Sequence, residues 1–177
     1  MKQSSLLAPE TYNIVSEIEK HVSDQDKNAI IYENGHNDPI AVTYADLMKQ
    51  ANQVGHVLLN HGLKKGDKIL IMMPRSISTY RIYIAALKLG IAIIPSSEML
   101  RTKDLQYRIS HGEIDAVITM PEFIKEFLNI EEYISLTKFV VAGHHEAWIS
   151  IDDERLNQSE ELDMAPTSRD AVSYTHL

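Results

Sequence analysis

Four short apolar runs constrain this chain more than any other feature. They are KILIMM at Lys68–Met73, IAII at Ile91–Ile94, AVIT at Ala116–Thr119 and FVV at Phe139–Val141. None alternates apolar with polar residues, as a strand with one wet face would. Strands apolar on both faces need cover on both faces, which is the situation of a parallel sheet between helices. The intervening text supplies those helices. Ser76 to Leu89 is apolar around most of its circumference, with Arg81 and Lys88 marking its one wet stripe and Gly90 stopping it. Thr102 is placed to cap a helix through Ser110, with Leu105 and Ile109 inward and Gly112 as the stop. Pro121 opens a short helix carrying Phe123, Ile124 and Phe127, while Pro74 and Pro95 end the first two strands. Strand and helix alternate at intervals of roughly two dozen residues, near the length of a compact βαβ unit. The expected fold class is α/β, a mainly parallel, doubly wound sheet with helices on both faces and right-handed crossovers.

Upstream of the first run the pattern differs. Ile14, Val15, Ile18 and Val22 stand at helical spacing and predict an amphipathic helix over residues 11–22. Two β-rich runs, Ala29–Tyr32 and Ile40–Val42, flank the turn-rich ENGHNDP and predict a hairpin. Thr43 is a good N-cap for a helix lined by Leu47, Ala51, Val54 and Leu58, with Asp46 suited to the dipole of its first turn and Gly62 to its left-handed end. Gly66 and Asp67 then turn the chain into the first buried strand. After Gly143 the text becomes polar and acidic, and predicts a surface loop with at most a short helix. Such a loop is long for a compact domain.

Composition closes off several classes of function. The chain has no cysteine, so disulfides, thiolate nucleophiles and Cys-based zinc sites are excluded from it. Its net charge of −8 argues against a nucleic-acid surface, which needs clustered Lys and Arg. No stretch approaches the about 20 apolar residues of a membrane span, and the first ten residues lack a signal-peptide core. The expected compartment is the cytoplasm.

No residue earns a catalytic, cofactor-binding or metal role from its spacing. The seven glycines, Gly35, Gly55, Gly62, Gly66, Gly90, Gly112 and Gly143, never cluster into a phosphate cradle and suit turns and helix ends. His144 and His145 are adjacent, so on extended chain they point to opposite faces and do not grip one metal. His56 and His61 are five apart on a helix and diverge; all four histidines are expected at the surface. Asp152, Asp153 and Glu154 form an acidic triplet expected to be solvated. Asn157–Ser159 matches a glycosylation sequon without a secretion signal to support its use. Arg75 and Arg101 follow two predicted strands, at the end of a parallel sheet where ligands bind, and point weakly to an anion contact.

The stretch TYADLMKQANQVGHVLLNHGLKKGDKILIMMPRSISTYRIYIAALKLGIAIIPSSEMLRTKDLQYRI resembles the N-terminal region of the adenylate-forming enzymes: acyl-CoA synthetases, adenylation domains and luciferases. The matching features run in order through the helix after TYADL, the GLKKGDKI turn, Pro74 and ALKLGIAIIPSS. The likeness extends over about residues 10–142, and MMPRSISTYRIYIAALKLG with SSEMLRTKDLQYRIS is most similar to the medium-chain acyl-CoA synthetases, with acetyl-CoA synthetases close behind. The resemblance implies the N-terminal part of the large domain of that family. It implies an enzyme that activates a small-molecule carboxylic acid with ATP and Mg²⁺ to an acyl-adenylate, then transfers the acyl group to CoA. Carried over residue by residue, it places only scaffold positions here, around Gly66, Pro74, Gly90 and Pro95. The family's Ser/Thr/Gly-rich phosphate loop, its Mg²⁺-binding acid and its catalytic lysine have no counterpart in this sequence. The chain alone is therefore expected to be inactive and to hold no ATP, CoA or Mg²⁺.

The end of the chain carries its own expectation. VSYTHL, residues 172–177, is what GTC TCT TAT ACA CAT CTN encodes, a string resembling a transposon-end adapter of sequencing libraries. Residues 1–171 are thus expected to be an incomplete N-terminal portion of an AMP-binding domain, and 172–177 an adapter-derived or truncated tail. Two other readings remain open: a stand-alone α/β binding module, and the start of an amino-acid adenylation domain. An uncovered apolar face separates a piece of a larger sheet from a self-contained module.

Overall fold

The computed structural model describes residues 8–33, 35 and 38–171, so the tail from residue 172 lies outside the described residues. The four apolar runs are strands of one parallel sheet, as their two-sided patterning requires. They are β3 (Lys68–Met72), β4 (Ala92–Ser96), β5 (Ala116–Thr119) and β6 (Thr137–Val140), preceded by a separate antiparallel hairpin of β1 (Asn28–Tyr32) and β2 (Ile40–Thr43). A fifth strand, β7 (Ile149–Ser150), completes the sheet in the order β4-β3-β5-β6-β7.

Side chains alternate across this sheet into two cores. Ile69, Ile71, Ile93, Ala116, Ile118 and Phe139 pack with α2 (Tyr44–Asn60), α3 (Ile77–Leu89) and Ile151 of α5 (Ile151–Arg155). Leu70, Met72, Ile94, Val117 and Val140 face the other way. They meet Leu105 and Ile109 of α4 (Thr102–Gly112), and Ile124 and Phe127 of the 3₁₀ turn at Pro121–Glu126 and its end. Helical cover therefore lies on both faces. A smaller core joins α1 (Val15–Glu19) and the hairpin to α2 and Ile84.

The helix ends show which local expectations were physically sound. Thr43 Oγ1 accepts the Asp46 amide at 3.1 Å, and Leu47, Ala51, Val54 and Leu58 are buried. Gly62 and Gly90 take φ of +88° and +70°, conformations that a Cβ disfavours. At α4 the cap differs from the expectation. Arg101 precedes the helix, with its N–H donating to Asp104 Oδ2 at 3.2 Å, while Thr102 begins it and donates to Glu126. The left-handed residue after α4 is Glu113 at φ +51°, not Gly112. Pro95 does not end its strand, which continues to Ser96; β4 is an edge strand, where a missing N–H costs no ladder bond.

Three departures are larger. α1 is one short turn rather than the full span 11–22. Asn13 holds the chain before it extended, donating from Nδ2 to the carbonyls of Leu87 (2.9 Å) and Lys88 (3.2 Å) and accepting Val15 N–H on Oδ1. Lys88 is not on a wet stripe. It is buried, with Nζ 2.7 Å from Glu19 and 2.9 Å from Asn52, because α1 and α2 cover that flank of α3. The polar stretch after Gly143 is not simply a surface loop. It contributes β7, α5 and the buried Trp148, whose Nε1 donates to the Tyr133 hydroxyl at 3.2 Å. Residues 156–167 then run back as a strap along α2 and α3, held by Asn52 Nδ2 to Glu160 O (2.7 Å), His56 to Glu161 O (2.7 Å) and Ala165 N to Lys88 O (2.9 Å).

Candidate functional site

Strand order fixes where a ligand would meet this sheet. From β3 the chain moves to β4 on one side, then returns to β5, β6 and β7 on the other, so the order reverses between β3 and β5. Ligands of open parallel sheets bind beyond the strands' carboxyl ends at such a switch point. Here that rim is made of Met73–Ser76 leaving β3, Met120 and Pro121 leaving β5, and Ala142–His144 leaving β6.

Hydroxyl groups knit this rim. Thr119 Oγ1 donates to Met72 O and Thr79 Oγ1 to Pro74 O, both at 2.7 Å. Ser76 caps α3 by accepting Thr79 N–H at 3.2 Å. Ala142 sits at φ +58° and donates its N–H to Asp152 Oδ2 at 2.8 Å. Gly143 is required by close approach: a Cβ there would lie 2.6 Å from Cγ of Pro121. The rim's hydroxyls and the Ala142 amide are hydrogen-bonded within the structure, which suits a scaffold on which other groups are placed.

The residues singled out from sequence are distributed as follows. Arg75 and Arg101 both lie exposed near this rim, but Arg101 Nη1 is engaged by the carbonyls of Glu98 (3.3 Å) and Leu100 (3.0 Å). Among the described residues no group bridges the two arginines. His144 is exposed, 3.2 Å from Asp153, and His145 packs edge-on to Trp148. His56 and His61 are half-buried rather than purely superficial; His61 Nε2 lies 2.8 Å from Glu154 Oε2, with its ring edge-on to Phe139. The acidic triplet is likewise partnered rather than merely solvated. Asp152 serves Ala142 and Arg155, Asp153 serves His144, and Glu154 serves His61. Asn157 of the sequon is exposed just after α5.

Among the described residues no three His, Asp or Glu side chains gather as a metal site. Nor does the rim offer successive glycine amides that could embrace a triphosphate. The donor set present does not by itself fit ATP with Mg²⁺. Sequence reasoning missed the buried polar group of Asn13, Asn52 and Lys88, since a single polar residue before a helix or within one leaves no periodic signal.

Comparison with known proteins agrees with this architecture. Residues 18–175 match the model of the AMP-binding enzyme family. An uncharacterized acyl-CoA ligase, YtcI, of Bacillus subtilis is 35% identical over 174 residues, covering 98% of this chain and 33% of the relative. The acetyl-coenzyme A synthetase of the same organism is 30% identical over 154 residues, covering 83% of this chain and 27% of that enzyme. The crystal structure of a Brucella canis acyl-CoA synthetase superposes with a TM-score of 0.85 at 17% identity, over 97% of this chain and 33% of that one.

The chain belongs to the AMP-binding, adenylate-forming enzyme family, and its relatives within it are acyl-CoA ligases. It spans about a third of the length of the curated relatives it matches.

Proposed function

We propose that this chain is the amino-terminal scaffold of an AMP-forming acyl-CoA ligase. In that reaction a carboxylate oxygen attacks the α-phosphorus of ATP, pyrophosphate leaves, and the mixed anhydride is opened by the CoA thiol with release of AMP. The observation that carries the reading is the match to acyl-CoA ligases along almost the whole chain. The role assigned to these residues is to hold a rigid parallel sheet; ATP, CoA and Mg²⁺ belong to the complete enzyme, and the chain alone is inactive. The complete enzyme's substrate is a small-molecule carboxylic acid. The cytoplasm is the proposed compartment, and no helix among the described residues is long and apolar enough to cross a membrane.

An exposed apolar face favours this over a self-contained binding module. Ile31 of the hairpin stays 63% exposed at an open groove of about 500 Å³ that is also lined by Ile18, Ile30, Tyr44, Leu47, Tyr80 and Ile84. Covered apolar area is worth roughly 25 cal/mol per Å², so such a face suits a larger assembly.

Two assays test the proposal. The purified 177-residue chain should give no ATP–pyrophosphate exchange with any acid from acetate to dodecanoate. The full reading frame of the gene, sequenced beyond codon 170 and expressed, should consume CoA in an ATP- and acid-dependent manner. Exchange by the short chain that is abolished by a substitution within it would overturn the scaffold role. A full reading frame that folds yet forms no acyl-CoA with any of these acids would overturn the ligase reading.

A further inference from the structure

Beside the carboxyl end of the sheet, two arginines and one carboxylate line the same crevice. Arg81 comes from α3, and Asp152 and Arg155 from α5, in a crevice walled by Val54, Ile82, Val141 and Ile151. Asp152 Oδ1 is 3.5 Å from Arg155 Nε, within ion-pair range but without hydrogen-bond geometry, and Oδ2 is already taken by the Ala142 amide. The guanidinium contacts are long. Arg81 Nη1 lies 3.4 Å from Ser78 Oγ, and Arg155 Nη1 lies 3.5 Å from Gln53 Oε1. The Nε of each arginine is buried with no hydrogen-bond partner, and the crevice has no void wide enough for water to supply one.

The local charge is therefore unbalanced, with two cations to one anion between apolar walls. Burial, followed by the charge of Arg155, lowers the pKa of Arg81, against a raising influence of Asp152. Leaving a guanidinium under-paired in such surroundings costs free energy that a second anion would recover. We propose that Arg81 and Arg155 form a recognition site for one small oxyanion, the carboxylate or phosphate group of a ligand, at the mouth of this crevice. Guanidinium forks match both groups in bidentate geometry, and the Ser78 hydroxyl stands beside Arg81 as a further donor. The place is apt, since Val141 follows β6 and Asp152 follows β7 on the edge where sheet ligands sit. The narrowness of the crevice excludes a nucleotide from its interior, so the anion engages at the mouth and draws Arg81 outward.

The test titrates the 177-residue chain with inorganic phosphate and, separately, with acetate, at ionic strength held constant with chloride. Binding is read by equilibrium dialysis of radiolabelled anion and by the shift in Tm. Saturable binding of at least one anion is expected, and which one binds distinguishes a phosphate from a carboxylate site. Arg81→Met should weaken it about tenfold or more, the loss of a charge-assisted hydrogen-bonded contact. Without anion the same variant should melt no lower than the parent, because an apolar group replaces an under-paired charge. Arg155→Gln, read by dialysis alone, serves if Arg81→Met does not fold. Absence of saturable binding, or equal binding by parent and variant (an adventitious anion only), would overturn the proposal.

Discussion

The central sheet and the strap at residues 156–167 are held in place by opposite means. Strands β3 to β6 are fixed by apolar side chains that fill two cores, so their position is over-determined by many weak contacts. The strap contributes few apolar side chains. Leu162 and Met164 pack at the margins of the cores, and the rest is held by hydrogen bonds: Asn52 to Glu160 O, His56 to Glu161 O and Ala165 N to Lys88 O, with Lys65 donating to Pro166 O. Losing one core side chain should therefore weaken the whole molecule. Losing one strap contact should loosen the strap locally and leave the sheet standing.

The largest expected effect is in the sheet. Phe139 is fully buried in β6, flanked by Ile118 and Ile149 in register and edge-on to His61. Phe139→Ala should cost about 3–5 kcal/mol, a large share of the 5–15 kcal/mol typical of a domain. The urea midpoint should fall with sheet and strap unfolding together. If instead the strap amides lost protection while the sheet midpoint held, the contrast drawn above would be broken.

A smaller effect should isolate the strap. Gly55 lies within α2, where a Cβ would stand 2.3 Å from Cδ2 of Leu162 and so must displace that side chain. Gly→Ala in a helix gains roughly 1 kcal/mol of propensity, against the roughly 1–3 kcal/mol usual for overpacking. Gly55→Ala should therefore move the urea midpoint little. Hydrogen exchange at Ala165, whose N–H is bonded to Lys88 O, should accelerate. Unchanged exchange there would show that the hydrogen bonds hold the strap without the Leu162 contact.

The same contrast explains what could be read in the sequence. The strands were legible because a run apolar on both faces has few homes besides a covered sheet. Thr43 and Gly90 were legible because capping chemistry is local. β7 was not, being two residues inside polar text, although Trp148 and Ile151 beside it were apolar signals in that acidic stretch. Lys88 was misassigned because a lysine on a helix ordinarily faces water; only the arrival of Glu19 and Asn52 from distant chain makes its burial possible. The paired arginines escaped for the same reason, since Arg81 and Arg155 meet only after α5 folds back beside α3. What sequence patterning carries is the part held by repeated apolar contacts. What it omits is the part held by one polar partner at a time.

The smallest predicted effect is a single polar contact on the sheet's other side. Glu132, in the 3₁₀ turn Glu131–Ile134, accepts the Ser110 hydroxyl on one oxygen and Gln106 Nε2 at 2.6 Å on the other, pinning that turn to α4. The Ser110 bond is the main cause holding its carboxyl below the ordinary value of 4.5; desolvation opposes it and the Gln106 bond assists. A carboxylate whose pKa is lower folded than unfolded binds its proton more weakly in the native state. Its stabilisation is thus complete above the unfolded pKa and disappears as pH falls through the folded one. The Tm difference between the parent and Glu132→Gln should be constant from neutrality down to about pH 4.5 and shrink below it. The group is solvent-exposed, so the difference should be slight and should fade with added salt. A Tm difference that stays flat through the acid range would mean that the Ser110 and Gln106 contacts do not persist in solution. The turn would then be held chiefly, like the strands, by apolar neighbours such as Ile130 and Leu136.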